Sequence, residues 1–139
     1  MLQQVYAARG VSTPAQAEHR LTRLLSPQTL GGIAHAVDLL ATAIHEDWTI
    51  LVAGDYDVDG ATGTAVAVRG LRMLGARHVT YVVPNRFIHG YGLTVELVAS
   101  LSSIPQLIVT VDNGVASVAG VTAAKALGIR VIVTDHHLP

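Results

Sequence analysis

The 139-residue sequence contains no cysteine. Disulfide bonds and thiolate metal sites are therefore excluded, and the absence fits a protein of the cytoplasm. Charged residues make up only 14% of the chain and the formal net charge is −1, so the composition carries no electrostatic footprint for nucleic acid. No apolar run reaches about 18 residues, so we expect no membrane span, and the start of the chain lacks the layout of a secretory signal.

Apolar residues, by contrast, make up half of the sequence. After residue 48 they form short runs separated by helix-like segments, a pattern typical of strands that are covered on both faces. The sequence therefore predicts an α/β domain, a parallel sheet with helices on both faces. The predicted strands are 49–54, 78–83, 106–111 and 129–134, and the predicted helices between them are 61–74, 94–101 and 117–127.

Residues 1–47 have a different pattern. Apolar residues three and four positions apart predict helices over 14–25 and 28–46. We interpret 1–47 as a helical N-terminal lead-in that packs on the sheet, and we expect the sheet domain to occupy 48–139.

Acidic residues follow three of the four predicted strands. Because ligands bind beyond the carboxyl ends of parallel strands, we expect these side chains to meet at one rim. Close carboxylates need a cation, and carboxylate with imidazole suits Mn²⁺, or Mg²⁺ where oxygen dominates. Several such groups suit the two-metal arrangement of phosphoryl chemistry. The set comprises five of the seven aspartates of the chain and two adjacent histidines: Asp55, Asp57, Asp59, Asp112, Asp135, His136 and His137.

The loop after the second predicted strand carries a cation and two glycines. Arg86 can clamp a phosphate through its planar fork, with a plain surface cation as the alternative. Gly90 and Gly92 would let the loop approach a ligand closely. The role of His89 stays open, and we assign Phe87 to packing rather than to base stacking.

Other interpretations of the acidic string fit less well. An EF-hand calcium loop needs a glutamate at its twelfth position, where this chain has Val66. A haloacid-dehalogenase-type phosphatase carries Asp-x-Asp-Gly-Thr, whereas Gly60 is followed here by Ala61 and then Thr62. A Rossmann site needs Gly-x-Gly-x-x-Gly after a strand, which this sequence lacks. A turn with a helix cap is the remaining structural alternative for the three aspartates.

Four segments in order resemble the DHH phosphoesterase superfamily. They are Gly-Asp-Tyr-Asp-Val-Asp-Gly at 54–60, Pro-Asn-Arg-Phe-Ile-His-Gly-Tyr-Gly-Leu at 84–93, Val-Thr-Val-Asp-Asn-Gly at 109–114 and Val-Thr-Asp-His-His-Leu-Pro at 133–139. Within the superfamily, the closer resemblance is to the bacterial single-strand-specific DNA exonucleases. The resemblance implies a 5′ to 3′ hydrolysis of single-stranded DNA in repair and recombination, with two Mn²⁺ or Mg²⁺ ions.

The resemblance also implies a role for each matching residue. Asp57 and Asp59 would face one ion each, and Asp112 would bridge the pair. His137 would contact a substrate phosphate and stabilise charge in the transition state. The implied metal ligands are Asp55, Asp57, Asp59, Asp112 and His136. The implied catalytic residues are Asp57, Asp59, Asp112, His136 and His137. The implied phosphate contacts are Arg86 and His137, and the implied supporting residues are Asp135 and Asn113.

The chain departs from the family pattern in two respects. The family commonly has acidic residues where Ile88 and His89 stand. Its members also continue beyond the position of Pro139, through a further metal-ligating aspartate, a second domain and an oligonucleotide-binding fold. We therefore expect 48–139 to be the first part of a DHH catalytic domain, and this chain alone to be inactive. The alternatives are a phosphodiesterase of short oligonucleotides or cyclic dinucleotides, and a non-catalytic metal-binding module.

Overall fold

The computed structural model describes residues 2–18 and 20–138. His19, inside the predicted helix over 14–25, and Pro139, at the end of the predicted sheet domain, lie outside the described residues. The chain divides into two compact units, Met1–Ala34 and His35–Pro139. Among the described residues, no helix has the length and apolar character that crossing a membrane requires.

The first unit contains helix α1 (Leu2–Ala8) and three short 3₁₀ helices, Pro14–Ala17, Leu21–Arg23 and Pro27–Thr29. The prediction of one helix over 14–25 is therefore wrong. The leucines whose spacing suggested it, Leu21, Leu24 and Leu25, are 85%, 73% and 83% exposed. A short helix depends on burying its apolar face, and these side chains bury little, so the spacing alone does not sustain an α-helix.

The second unit is built on a four-stranded sheet, and helix α2 (Ile33–His45) leads into it. The strands are β1 (Ile50–Ala53), β2 (Val79–Val82), β3 (Leu107–Val111) and β4 (Arg130–Thr134). All three strand pairs are parallel, and the order across the sheet is β2-β1-β3-β4. The connecting helices are α3 (Val58–Met73), α4 (Val95–Ala99) and α5 (Val118–Ala126). The predicted α/β fold class is confirmed.

Two apolar layers cover the sheet, one on each face. Successive strand residues point to opposite faces, so Val52 packs with α2 and α3 while its neighbour Leu51 packs with α4 and α5. Ile50, Leu107 and Ile108 are 1%, 0% and 0% exposed. Each such side chain contributes about 1.5–3 kcal/mol through burial. The sheet is therefore a rigid base for the loops at its ends.

Helix α3 begins three residues earlier than the pattern predicted, at Val58 rather than at 61. The carboxylate of Asp57 caps the helix, because its Oδ1 accepts a hydrogen bond of 2.9 Å from the backbone N–H of Gly60. Asp59 consequently lies in the first helical turn, where the helix dipole favours a negative charge. The start of α3 thus sets the backbone positions of Asp57 and Asp59.

Candidate metal centre

The acidic residues lie at the point where the sheet reverses its order of connection. β1 has β2 on one side and β3 on the other, so the chain leaves β1 in one direction and later returns beyond it. Such a switch point opens a crevice beyond the carboxyl ends of the strands. Asp55 follows β1 and Asp112 follows β3, so these two carboxylates come from neighbouring parallel strands.

The structure brings the predicted side chains together in two groups of potential ligands. In one group, oxygens of Asp55, Asp57 and Asp112 lie within 4.8 Å of one another. In the other, Asp112 offers an oxygen within 4.8 Å of ring nitrogens of His136 and His137. Asp112 belongs to both groups, so one carboxylate connects them. Mixed oxygen and imidazole donors of this kind suit a divalent first-row metal.

Asp112 is one of the two buried acids in these groups. Only 8% of the residue is exposed, and Oδ1 lies 2.8 Å from Nε2 of His136. Oδ2 is buried and has no hydrogen-bond partner among the described residues. A buried carboxylate oxygen without a partner is costly, and a cation relieves that cost. The residues present therefore fit a bound metal ion.

Asp55 and Asp57 add negative charge beside Asp112. Asp55 is 2% exposed, and its Oδ1 accepts a hydrogen bond of 2.7 Å from the N–H of Tyr56. Burial raises the pKa of Asp55 above its ordinary value, and the charges of Asp57 and Asp112 raise it further. A cation in this group would act in the opposite direction and favour the ionised acid. The helix cap accounts for the position of one oxygen of Asp57. It does not account for the convergence of three carboxylates.

Asp59 and His136 meet at the edge of these groups. Nε2 of His136 lies 3.4 Å from Oδ2 of Asp59 and 2.8 Å from Oδ1 of Asp112. The side chains of His136 and Asp59 are 70% and 57% exposed, so this edge of the centre faces solvent. Nε2 of His136 therefore lies between the carboxylates of Asp59 and Asp112. A metal ion at this position would contact all three side chains.

Asp135 holds His137 in a defined orientation. Oδ1 of Asp135 lies 2.7 Å from Nδ1 of His137, and Oδ2 accepts a hydrogen bond of 2.9 Å from the N–H of Val115. Burial acts to raise the pKa of Asp135, but the backbone hydrogen bonds from Val115 and His137 outweigh it and hold the pKa below its ordinary value. Asp135 is therefore charged, its partner Nδ1 carries hydrogen, and Nε2 of His137 is directed away from Asp135.

Asn113 ties together the ends of the two central strands. Its Nδ2 donates hydrogen bonds of 3.1 Å to the carbonyl oxygen of Ala53 and 2.9 Å to that of Val111. The residue is 1% exposed. The relative placement of Asp55 and Asp112 therefore depends on a buried amide that bonds to the last residue of each strand before them.

The loop after β2 lies beside the centre and contributes no member of either ligand group. The guanidinium of Arg86 lies over the ring of Tyr56, 5.1 Å from its centroid. Nδ1 of His89 accepts a hydrogen bond of 3.1 Å from the N–H of Asn85, so His89 shapes the loop. Phe87 is 92% exposed, so the expectation that it packs is wrong. Its neighbours in this loop bond to one another and leave its ring in solvent.

Sequence reasoning assigned no role to Tyr91, which the structure places at the centre. Its hydroxyl donates a hydrogen bond of 3.2 Å to the backbone carbonyl of Asp112 and lies 3.4 Å from Nδ1 of His137. A cavity of about 390 Å³ opens here, lined by Asp55, Tyr91 and His137 among others. The signal in the sequence was the Gly-Tyr-Gly string at 90–92, where an aromatic residue stands between two glycines.

Replacing Asp135 by asparagine is expected to lower the pKa of His137 in the metal-free protein. That pKa lies above its ordinary value of 6.5, first because of the hydrogen bond from Nδ1 to Asp135 and then because of nearby negative charges. NMR titration of the histidine ring protons measures the change, with Asp38→Asn at an exposed position of α2 as the control. An unchanged pKa of His137 would show that Asp135 does not govern its protonation.

Three comparisons with known proteins identify relatives of this chain. Residues 49–139 match the family model described as DHH family, N-terminal domain. The chain is 51% identical over 140 residues to the single-stranded-DNA-specific exonuclease RecJ of Salmonella typhimurium, which covers 100% of this chain and 24% of that protein. A crystal structure of exonuclease RecJ bound to manganese superposes with a TM-score of 0.75 and 42% identity, over 84% of this chain and 30% of that one.

A second solved structure, RecJ from Thermus thermophilus in complex with Mn²⁺, has a TM-score of 0.72 and 37% identity over 96% of this chain and 18% of that one. This chain thus spans about a quarter of the length of the Salmonella protein. The matched family segment begins one residue before β1 and includes every acidic residue and histidine of the two ligand groups. On the sequence match and on the shared fold, the chain belongs to the DHH family.

Proposed function

We propose that this centre binds two divalent ions, Mn²⁺ or Mg²⁺, and serves the 5′ to 3′ hydrolysis of phosphodiester bonds in single-stranded DNA. The observation that carries the proposal is Asp112, a buried carboxylate shared by two ligand groups with one oxygen unpartnered among the described residues. The relatives support it, because they are named single-stranded-DNA-specific exonucleases and two of their structures contain manganese. The setting we propose is DNA repair and recombination in the cytoplasm.

The ligand roles follow from position. Asp55 and Asp57 would hold one ion from the β1 side and His136 the other from the β4 side, with Asp112 between them. Asp59, within 3.4 Å of His136, would complete the solvent-facing edge. When bound, such ions supply Lewis acidity and lower the pKa of water, so no side-chain base is required.

His137 and Arg86 are the groups that we assign to the substrate phosphate. Asp135 holds Nδ1 of His137 and raises the pKa of the ring, which favours the protonated form, and in that form Nε2 donates a hydrogen bond to a phosphate oxygen. That hydrogen bond strengthens as negative charge grows on the phosphate, which is how it would favour the transition state. Arg86 is exposed and stacks on Tyr56, beside the cavity that would receive the phosphate.

A chimera tests the proposal in a complete enzyme. The corresponding segment of the Salmonella typhimurium protein, 51% identical, is replaced by these 139 residues. With Mn²⁺ and 5′-phosphorylated single-stranded DNA, the chimera is expected to release mononucleotides. Asp57→Asn in the graft keeps the helix cap, since asparagine caps as well as aspartate, but removes a charged ligand. We expect this variant to lose about 100-fold or more in rate, a typical loss for direct stabilisation of developing charge.

The control variant Asp38→Asn makes the same chemical change at an exposed position of α2 and is expected to retain the rate. A chimera that binds Mn²⁺ and DNA without cleavage would favour the non-catalytic module. Faster cleavage of dinucleotides than of long single strands would favour the short-oligonucleotide phosphodiesterase. Because the relative is about four times as long, we expect the 139 residues alone to bind Mn²⁺ and to cleave little or not at all.

A further inference from the structure

The backbone at Asp112 adopts a conformation that residues with side chains rarely use. Its φ is +63°, in the left-handed region, where aspartate is tolerated better than most residues but is still disfavoured. The direction of the Asp112 side chain depends on this backbone angle. A relaxed backbone would turn the buried carboxylate away from one ligand group or the other, so the surrounding structure must hold the conformation in place.

Both backbone polar groups of Asp112 have partners. Its N–H donates a hydrogen bond of 3.0 Å to the carbonyl oxygen of Thr134, which is an extension of the sheet toward β4. Its carbonyl oxygen accepts a hydrogen bond of 3.2 Å from the hydroxyl of Tyr91. The sheet therefore holds one side of the residue, and a side chain from a separate loop holds the other.

Tyr91 is itself presented by a well-held loop. Gly90 and Gly92 on either side have φ values of +78° and +74°, which turn the chain sharply around the tyrosine. A Cβ on Gly92 would lie only 2.9 Å from Oγ of Ser117, so the loop lies directly against the turn after β3. The hydroxyl of Thr94 donates a hydrogen bond of 2.8 Å to the carbonyl of His89 and closes the loop.

The hydroxyl hydrogen of Tyr91 has one clear acceptor. Nδ1 of His137 lies 3.4 Å away, but this nitrogen is directed at Asp135 at 2.7 Å and carries a hydrogen there. The hydroxyl hydrogen is therefore left for the carbonyl of Asp112. The hydroxyl oxygen of Tyr91 also lies close enough to Nδ1 of His137 to accept a weak hydrogen bond from it. The hydroxyl of Tyr91 thus links the backbone of Asp112 to the ring of His137.

We infer that Tyr91 is a positioning residue for the metal centre: its hydroxyl holds the left-handed backbone of Asp112, so that the buried carboxylate projects between the two ligand groups. The inference rests on the proposed function, because it takes a metal ion as what that carboxylate binds. Tyr91 is 46% exposed, so its ring contributes little to the core. Its hydroxyl is the group that holds the backbone of Asp112.

Tyr91→Phe removes the hydroxyl and keeps the ring. Losing one neutral hydrogen bond to a group that aims a ligand is expected to weaken Mn²⁺ binding by about five- to tenfold, measured by calorimetry. In the metal-free protein, deuterium exchange of the Asp112 amide is expected to become about fivefold faster. Tyr56→Phe is the matched control, because that ring contacts Tyr91 edge to face at 6.3 Å and loses the same group. Both readouts should stay unchanged in the control.

The outcomes separate the inference from the proposed function. If Asp112→Asn leaves Mn²⁺ affinity unchanged, the proposed function is overturned and the inference falls with it. If Asp112→Asn weakens binding but Tyr91→Phe behaves like Tyr56→Phe in both readouts, the inference alone is overturned. Faster exchange throughout the sheet in Tyr91→Phe would indicate general destabilisation and would also overturn it. Faster exchange confined to the Asp112 region, together with weaker binding, supports it.

Discussion

Asp112→Asn is expected to weaken Mn²⁺ binding by more than about 100-fold, because even residues behind the direct ligands of a metal typically contribute 10- to 100-fold. The substitution changes little besides charge. Asparagine has nearly the same shape as aspartate and tolerates the φ of +63° at this position at least as well. The loss of affinity therefore reports the carboxylate itself and not a displaced backbone.

The same variant is expected to fold at least as well as the parent without metal. Asp112 is 8% exposed and lies within 4.8 Å of oxygens of Asp55 and Asp57, so removing its charge relieves repulsion in a low-dielectric place. We expect the free energy of unfolding of the metal-free protein to stay within about 1 kcal/mol of the parent or to rise. Opposite effects on affinity and stability are characteristic of a residue that serves binding at the expense of folding.

Calorimetric titration with Mn²⁺ and urea unfolding without metal measure the two quantities. Asp38→Asn is the control for both, because it makes the same chemical change at an exposed position on α2. Unchanged Mn²⁺ affinity in Asp112→Asn would remove the central ligand from the proposed centre. A large loss of metal-free stability would show that the carboxylate has a structural role that its unpartnered oxygen does not suggest.

Gly120→Ala is expected to produce the largest loss of stability among alanine substitutions of the described glycines. Gly120 lies in α5, and a Cβ at this position would lie 1.9 Å from the carbonyl oxygen of Leu93 and 2.6 Å from its carbonyl carbon. Backbone atoms cannot move aside as a side-chain end can, so α5 would have to shift away from the segment before α4. We expect a cost of about 2–3 kcal/mol, the upper range for overpacking.

Gly70→Ala supplies the matched control, because it is also a glycine inside a helix. Among the described residues, no heavy atom lies within 4 Å of a Cβ added to Gly70 in α3, apart from the chain neighbours and the backbone of the helix itself. Alanine there should stabilise the helix by about 0.5–1 kcal/mol. Urea unfolding of both variants should therefore give shifts of opposite sign. Equal shifts would show that helix propensity, and not the contact with Leu93, determines the change in the free energy of unfolding at position 120.

The sheet and the position of the acidic residues at its rim were predictable from sequence for a local reason. The strands of a buried parallel sheet are short apolar runs, and the residue types at their carboxyl ends can be read without knowing the strand order. Asp55 and Asp112 could therefore be placed at one rim of the sheet. That β1 and β3, the strands they follow, lie side by side came only from the structure. Each end of the four strands was located to within one residue.

The remaining features could not be predicted, because they depend on contacts between segments distant in sequence. Leu21, Leu24 and Leu25 have helical spacing, but spacing does not tell whether an apolar face finds a partner, and these side chains are exposed. Tyr91 contacts a residue 21 positions later through a single hydroxyl; the Gly-Tyr-Gly string indicates that the loop approaches something closely, but it does not indicate which residue the tyrosine contacts. The early start of α3 depends on which aspartate turns inward as a cap.

The buried amide of Asn113 has a consequence for the dimensions of the centre. By bonding to the last residues of both β1 and β3, it keeps the two chain ends at the separation of paired strands, which is about 4.8 Å in any sheet. Asp55 and Asp112 follow these two strand ends, so the distance between the backbones that carry them is set by the sheet and not by the surrounding loops. Redesign of those loops is therefore expected to leave this spacing unchanged.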